Sequence, residues 1–160
     1  MQGNNGCNGG NMAKAFNYIK DAGINLAANY PYQGVAGACR HNSSHSVKDL
    51  KDYVHFGWPN GDEQALQEAL SRVGPITIGI NAPPRSFMLY SWGTYDDPTC
   101  DPNGINHAMV LVARGTFNNN PVYMIKNSWG TGWGDGGYIR MAGFKSICGI
   151  GRMCSYPVLK

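Results

Sequence analysis

A histidine opens an apolar run at Asn106-His107-Ala108-Met109-Val110-Leu111-Val112. Imidazole is the side chain best suited to moving protons near neutral pH, yet a lone histidine in such a place serves structure as readily as catalysis. Lys126-Asn127-Ser128-Trp129-Gly130-Thr131-Gly132-Trp133-Gly134-Asp135-Gly136-Gly137-Tyr138 sets two tryptophans among five glycines. Glycine lets the backbone turn at positive φ, and the indoles can then lie over a polar group and exclude water. An aromatic-glycine turn in an ordinary β protein has the same composition. Gly6-Cys7-Asn8-Gly9-Gly10 holds a thiol in a glycine loop ahead of a helix. By itself it is a tight turn, or a weak phosphate loop lacking the lysine and spacing of a true one. With Cys39, Cys100, Cys148 and Cys154 it forms no Cys-x-x-Cys pair and no Cys/His cluster at zinc spacing, so no metal is expected. Five dispersed cysteines fit a disulfide framework with some partners absent.

The elements that must position these groups follow from periodicity. Met12, Ala15, Phe16 and Ile19 recur at helical spacing, Asn11 or an earlier residue can cap the start, and Gly23 ends the run. Residues 26–46 are turn-rich around Tyr30-Pro31-Tyr32. A second helix is predicted over about 62–73, with Asn60 and Glu63 at capping-box spacing and Gly74-Pro75 as the stop. Its apolar stripe is Ala65, Leu66, Ala69, Leu70 and Val73. Strands follow: 76–80 alternates, 107–113 is apolar and branched, and 122–126 and 138–141 are short runs bounded by glycine or asparagine.

Composition limits the function classes. Hydrophobic residues make up 42% and charged residues 14%, which excludes a disordered polyelectrolyte. The 22 glycines and 9 prolines point to a loop-rich, largely β protein. A net charge of +3 with scattered basic residues gives no nucleic-acid footprint. No apolar run has the length of a membrane span, and the polar stretch Met1-Gln2-Gly3-Asn4-Asn5-Gly6 is not a signal peptide. No cofactor motif is present. Asn42-Ser43-Ser44 is a glycosylation sequon, meaningful only in a secretory compartment.

Gly-Cys-Asn-Gly-Gly, then Asn-His-Ala, then Lys-Asn-Ser-Trp-Gly, in that order, resembles the papain family of cysteine peptidases, and within it the cathepsin L-like group. Tyr30-Pro31-Tyr32, Gly74-Pro75-Ile76, Cys148-Gly149-Ile150 and Ser155-Tyr156-Pro157 fit the same likeness, which runs from near Gly6 to the C-terminus. The resemblance implies an α+β, papain-like fold. Residues 1–45 would be a partial helical left domain, and 46–160 a nearly complete right-hand, antiparallel β-barrel-like domain. It implies that His107 is the general base and acid, that Asn127 orients its imidazole, and that Trp129 covers their contact. Backbone groups of Gly10 and Asn106, with Gly9 beside them, would bind an extended polypeptide substrate. Met12, Gly79, Ile105, Ala108 and Met153 would line an apolar pocket for the substrate's second residue before the cut. The short segment 34–42 favours an endopeptidase. Polypeptide substrates, cysteine-peptidase inhibitors and a propeptide are the implied partners, and a lysosomal or extracellular location is implied for the parent enzyme.

In that family the nucleophile lies near the mature N-terminus in Cys-Gly-[Ser/Ala]-Cys-[Trp/Tyr], with His and Asn about 130–150 residues downstream. Here 106 residues precede His107, and no Cys-Gly-x-Cys occurs in the chain. The nucleophile and the oxyanion-hole glutamine are therefore expected upstream of Met1; Gln2 is no substitute. The resemblance pairs Cys100 with Cys148 and gives Cys7 and Cys39 partners in the missing segment, leaving Cys154 free. Arg114 and Met124 depart from the residues usual in the family at those places. The expectation is a fragment that is inactive alone, the alternatives being a peptide-binding pseudoenzyme and a subunit completed by another chain.

Overall fold

Asn11 starts α1 (Met12–Ala22) by accepting the N–H groups of Ala13 and Lys14 on its side-chain oxygen, at 2.8 and 3.4 Å, and Gly23 ends it at φ 79°. These ends match the sequence reading. The structure, a computed structural model, describes residues 3–82 and 84–160; Met1 and Gln2, which the sequence gives no signal-peptide or oxyanion-hole role, lie outside the described residues. The chain divides into two compact units, one running through Val54 and joined by Pro157–Lys160, the other His55–Tyr156.

The first unit holds α1 and a two-stranded antiparallel ribbon of β1 (Ile24–Asn25) and β2 (Ser46–Val47), with Ile24 opposite Val47. Phe16 on α1 stacks on Tyr53 at 5.2 Å between ring centres. Among its described residues only Gly23 and Leu50 are buried. The apolar stripe of α1 instead borders an open hollow of about 630 Å³ lined by Ala15, Tyr18, Ile19, Ile24, Tyr30 and Cys39. An amphipathic helix normally buries that stripe fully; here Met12, Ala15, Phe16 and Ile19 are only half-buried.

The remaining elements are β3 (Leu50–Phe56), α2 (Glu63–Val73), β4 (Ile76–Ile80), α3 (Arg85–Met88), β5 (Thr94–Tyr95), β6 (His107–Phe117), β7 (Asn120–Lys126), β8 (Tyr138–Ala142) and β9 (Met153–Leu159). One sheet takes the order β3-β9-β4-β6-β7-β8-β5. The β4–β6, β4–β9, β6–β7 and β7–β8 pairs are antiparallel and β5–β8 is parallel. The fold is α+β, as expected. The barrel-like expectation is corrected in one respect: the sheet is open, with β3 and β5 as its edges.

The core of the second unit comes from period-2 alternation. Ile76, Ile78 and Ile80 on β4 are wholly buried, as are Leu111, Ile125, Ile139 and Met141 on its neighbours. Leu66 on α2 joins them, with Ala69 and Leu70 packed against the cluster. Each wholly buried isoleucine, leucine or methionine among these stabilises the fold by about 1.5–3 kcal/mol.

Asn60 does not cap α2. Asp62 does, its carboxylate accepting the N–H of Ala65 at 2.7 Å, while Gly61 N–H is already bound to the Gly57 carbonyl. Glu63, freed from a capping box, accepts the N–H groups of Phe144 and Ser146 at 2.5 and 2.6 Å. Phe144, Ser146 and Cys148 all have left-handed backbones, at φ 61°, 51° and 53°, which only surrounding contacts can hold in residues other than glycine. Glu63→Ala should therefore cost about 2 kcal/mol, in line with hydrogen bonds to a charged acceptor. A denaturation midpoint equal to the parent's would contradict the clamp.

Candidate active site

His107 is the first residue of β6 and shares a face with Met109 and Leu111, both buried. Asn127 follows the last residue of β7, where the ladder pairs Val110 with Lys126, and its N–H donates to the Gly137 carbonyl at 2.9 Å. The hairpin thus brings together two side chains 20 residues apart: His107 Nε2 lies 2.9 Å from Asn127 Oδ1. Asn127 is buried and His107 half-buried.

Which nitrogen carries the imidazole proton follows from the neighbours. The Ser128 N–H donates to Asn127 Oδ1 at 2.8 Å, so this amide atom must be the oxygen. An oxygen cannot donate to His107, so Nε2 is the donor in that contact. In the neutral ring Nδ1 is then the bare acceptor, and it has no hydrogen-bond partner among the described residues. The geometry leaves one base lone pair free on an imidazole whose orientation is held from behind. Asn127 Nδ2 is buried and has no hydrogen-bond partner among the described residues.

Trp129 lies over the imidazole, with ring centres 5.0 Å apart and planes tilted by 38°. It meets Trp133 edge-on at 5.3 Å and Phe87 at 5.7 Å, and Trp133 Nε1 donates to the Met88 carbonyl at 3.1 Å. The glycines make the turn possible: Gly134 sits at φ 60°, and a Cβ there would run into the Tyr138 carbonyl oxygen. Phe87 was not singled out from the sequence, because α3 is only four residues long and has no periodicity to read.

Of the residues read as substrate-binding, Gly79, Ile105, Asn106, Ala108 and Met153 fall in the second unit. Gly79 on β4 pairs with Ala108 on β6 and with Met153 on β9. A Cβ at Gly79 would come within 2.8 Å of Ile105 and 3.0 Å of Met153, so glycine is required for this close approach. The four form one small, mainly apolar patch. Gly9, Gly10 and Met12 belong to the first unit, Gly9 and Gly10 in the loop and Met12 opening α1.

Asn106 is tied down by a chain of amides that sequence reasoning missed. Its Oδ1 accepts the Ala82 N–H at 3.0 Å and its Nδ2 donates to Asn81 Oδ1 at 3.3 Å. Asn81, buried, donates from Nδ2 to the Asp101 carbonyl at 2.9 Å and from its N–H to the Cys148 carbonyl at 2.8 Å. No periodicity marks such residues; only the folded contacts do. Arg114 reaches Gln67 at 2.9 Å, and Met124 pairs with Ala113 and Arg140 on the sheet.

Cys100 and Cys148 form a disulfide; Cys7 and Cys39 are free and exposed, and Cys154 is free and buried. Burial pushes the Cys154 thiol up to about 12, so it carries no thiolate at neutral pH. A thiol whose pKa is raised by folding stabilises the fold below its unfolded value and loses that contribution as pH rises through the folded one. Stability should therefore fall between about pH 9 and 12, and Cys154→Val should flatten that limb. A pH series of denaturant midpoints checks this; an unchanged limb in the variant contradicts it. Among the described residues no group of three or more His, Cys, Asp or Glu could hold a metal ion, and no helix is long and apolar enough to cross a membrane.

Comparison with known proteins gives the chain's family. Cathepsin S of Mus musculus is 45% identical over 157 residues, 97% of this chain and 45% of that protein. A cathepsin L-like peptidase of Aedes aegypti is 44% identical over 160 residues, 98% of this chain and 47% of that protein. Among solved structures, digestive procathepsin L 3 of the Tenebrio molitor larval midgut superposes with a TM-score of 0.90 at 40% identity, covering 99% of this chain and 51% of that one. The chain spans about half the length of the curated relatives it matches. Residues 1–158 match the family described as papain family cysteine protease, and the chain belongs to that family.

Proposed function

We propose that this chain carries the acid–base part of a Cys-His-Asn endopeptidase that cleaves polypeptides through a covalent acyl-enzyme. The observation that carries the reading is the imidazole of His107, pinned through Nε2 by an amide oxygen that Ser128 identifies, with Nδ1 bare. Nδ1 would take the proton of a thiol and hold the thiolate as an ion pair. The thiolate would attack the scissile carbonyl carbon, and the imidazolium would return its proton to the leaving amine. Water, activated by the same base, would then release the acyl group. Trp129 would shield the His107–Asn127 bond.

Substrate would lie extended against backbone groups of Gly9, Gly10 and Asn106. Gly79, Ile105, Ala108, Met153 and Met12 are all apolar or lack a side chain, which favours a hydrophobic residue at the second position before the cut. The helical part, 1–45, and the β-rich part, 46–160, correspond to the two portions of the parent catalytic domain in this reading. Inhibitors of cysteine peptidases and a propeptide are the matching partners, and a lysosomal or extracellular setting the matching location.

None of the five cysteines suits the nucleophile. Cys100 and Cys148 are bonded to each other and Cys154 is buried; in this reading the exposed Cys7 and Cys39 would pair with cysteines outside these 160 residues. With no Cys-Gly-x-Cys in the sequence, the reactive thiol comes from outside it as well. The 160 residues alone should therefore give no turnover of a fluorogenic peptide with a hydrophobic second residue. Turnover that disappears in Cys7→Ser would overturn this. A chain that is monomeric, melts cooperatively and binds no hydrophobic dye would favour a self-sufficient peptide-binding pseudoenzyme, and turnover restored by a separate partner chain would favour a complemented subunit.

A further inference from the structure

Asn42-Ser43-Ser44 is the only Asn-x-Ser/Thr triplet, with x other than proline, in the 160 residues. It lies in the first unit, where Asn42 precedes the short 3-10 turn Ser43–His45, and all three residues are exposed. Asn42 Oδ1 accepts the Ser44 N–H at 2.9 Å and the Ser44 hydroxyl at 2.7 Å. The Asn42 backbone is held by Asn25, whose Oδ1 accepts the Asn42 N–H at 2.9 Å and whose Nδ2 donates to the Asn42 carbonyl at 2.8 Å. The remaining polar atom, Asn42 Nδ2, has no hydrogen-bond partner among the described residues. An asparagine turn accounts for the bonds to Oδ1 by itself. It does not require a hydroxyl at position 44 or an unoccupied, exposed amide nitrogen.

We propose that Asn42 is an N-glycosylation site. Asn42 Nδ2 would form a bond to C1 of an oligosaccharide carried on a lipid diphosphate. The C1–O bond to the diphosphate breaks, the lipid diphosphate leaves with that electron pair, and Nδ2 gives up one proton to the transferase. A sugar on Nδ2 leaves both bonds to Oδ1 and both backbone bonds to Asn25 in place, so the folded unit can carry it without rearrangement. Whether the natural protein meets the transferase rests on the secretory setting proposed above.

The test expresses the chain behind a cleavable secretion signal in a eukaryotic host. A slower-migrating form is expected, collapsed by peptide N-glycosidase with Asn42 converted to Asp in the recovered peptide. The shift should vanish in Asn42→Gln and in Ser44→Ala and persist in Ser44→Thr. Should export fail, translation with microsomes reads the same shift without requiring a folded product. An unmodified Asn42 in both systems overturns the proposal. A glycan on the recombinant protein but not on protein from its native source supports Asn42 as acceptor and removes the secretory reading instead.

Discussion

With the 160 residues completed by the N-terminal segment of a close relative, bearing its Cys-Gly-Ser-Cys-Trp helix, peptide hydrolysis is expected to appear, and His107→Ala to abolish it by roughly 10⁴-fold or more. The geometry of this imidazole fits the role of base: Nε2 is held by Asn127 Oδ1 at 2.9 Å and Nδ1 is left bare. Removing it deletes proton transfer in both halves of the reaction. Asn127→Ala should cost less, on the order of 10²-fold, because the ring remains and loses only its anchor. Trp129 still lies over the ring in that variant, so some orientation survives. Assembly should be unaffected in both variants, as size-exclusion elution would show. Before completion, the half-buried stripe of α1 and the exposed Ile24, Leu26 and Val35 should bind a hydrophobic dye, and the signal should fall when the segment is added. Activity in His107→Ala within tenfold of the parent would remove the proposed mechanism altogether.

Replacing Cys100 and Cys148 together by alanine should lower stability by about 3–4 kcal/mol, since the bond spans 48 residues of sequence and restricts the unfolded chain. At the size of this chain that corresponds to a melting temperature lower by roughly 10 °C. The double variant is the informative one, because a single substitution would leave a thiol in a site where Cys148 is fully buried. The loss should also reach the head of β6. Asn81 bonds the Cys148 carbonyl and the Asp101 carbonyl, and it bonds Asn106, the residue before His107. In the completed enzyme, activity should therefore decline at temperatures below the global transition. Denaturant curves within about 1 kcal/mol of the parent would contradict the entropic account.

How far the residues alone lead differs from element to element. α1 and the end of α2 are written in local signals: an asparagine that can accept two helix N–H groups, an apolar stripe at 3.6 spacing, glycines that stop the helix. β4 shows in its alternation, and its bounds are those expected. β3 and β9 do not show. In Leu50–Phe56 the polar Lys51, Asp52 and His55 interrupt the apolar residues without a period-2 alternation, and Met153–Leu159 contains Pro157, which reads as a break unless neighbouring strands are known. β6 was expected to stop near Ala113 but runs to Phe117, because its last residues pair with β7 rather than with the core. The cap of α2 moved from Asn60 to Asp62 because Gly61 is already bonded back to Gly57 and Glu63 is drawn to the 144–146 backbone.

For the site, the sequence by itself determined the chemical types and their order: a thiol in a glycine loop, an imidazole at the head of an apolar strand, and an amide before a tryptophan-glycine turn. The family likeness rests on those motifs, and the Cys100–Cys148 pairing followed from the likeness rather than from the residues alone. Only the tertiary structure decided that the amide meets the imidazole through its oxygen, that Nδ1 is the bare nitrogen, and that Asn81 braces Asn106. Such contacts depend on hairpin register and on which backbone N–H reaches which side chain, distances that no local periodicity encodes.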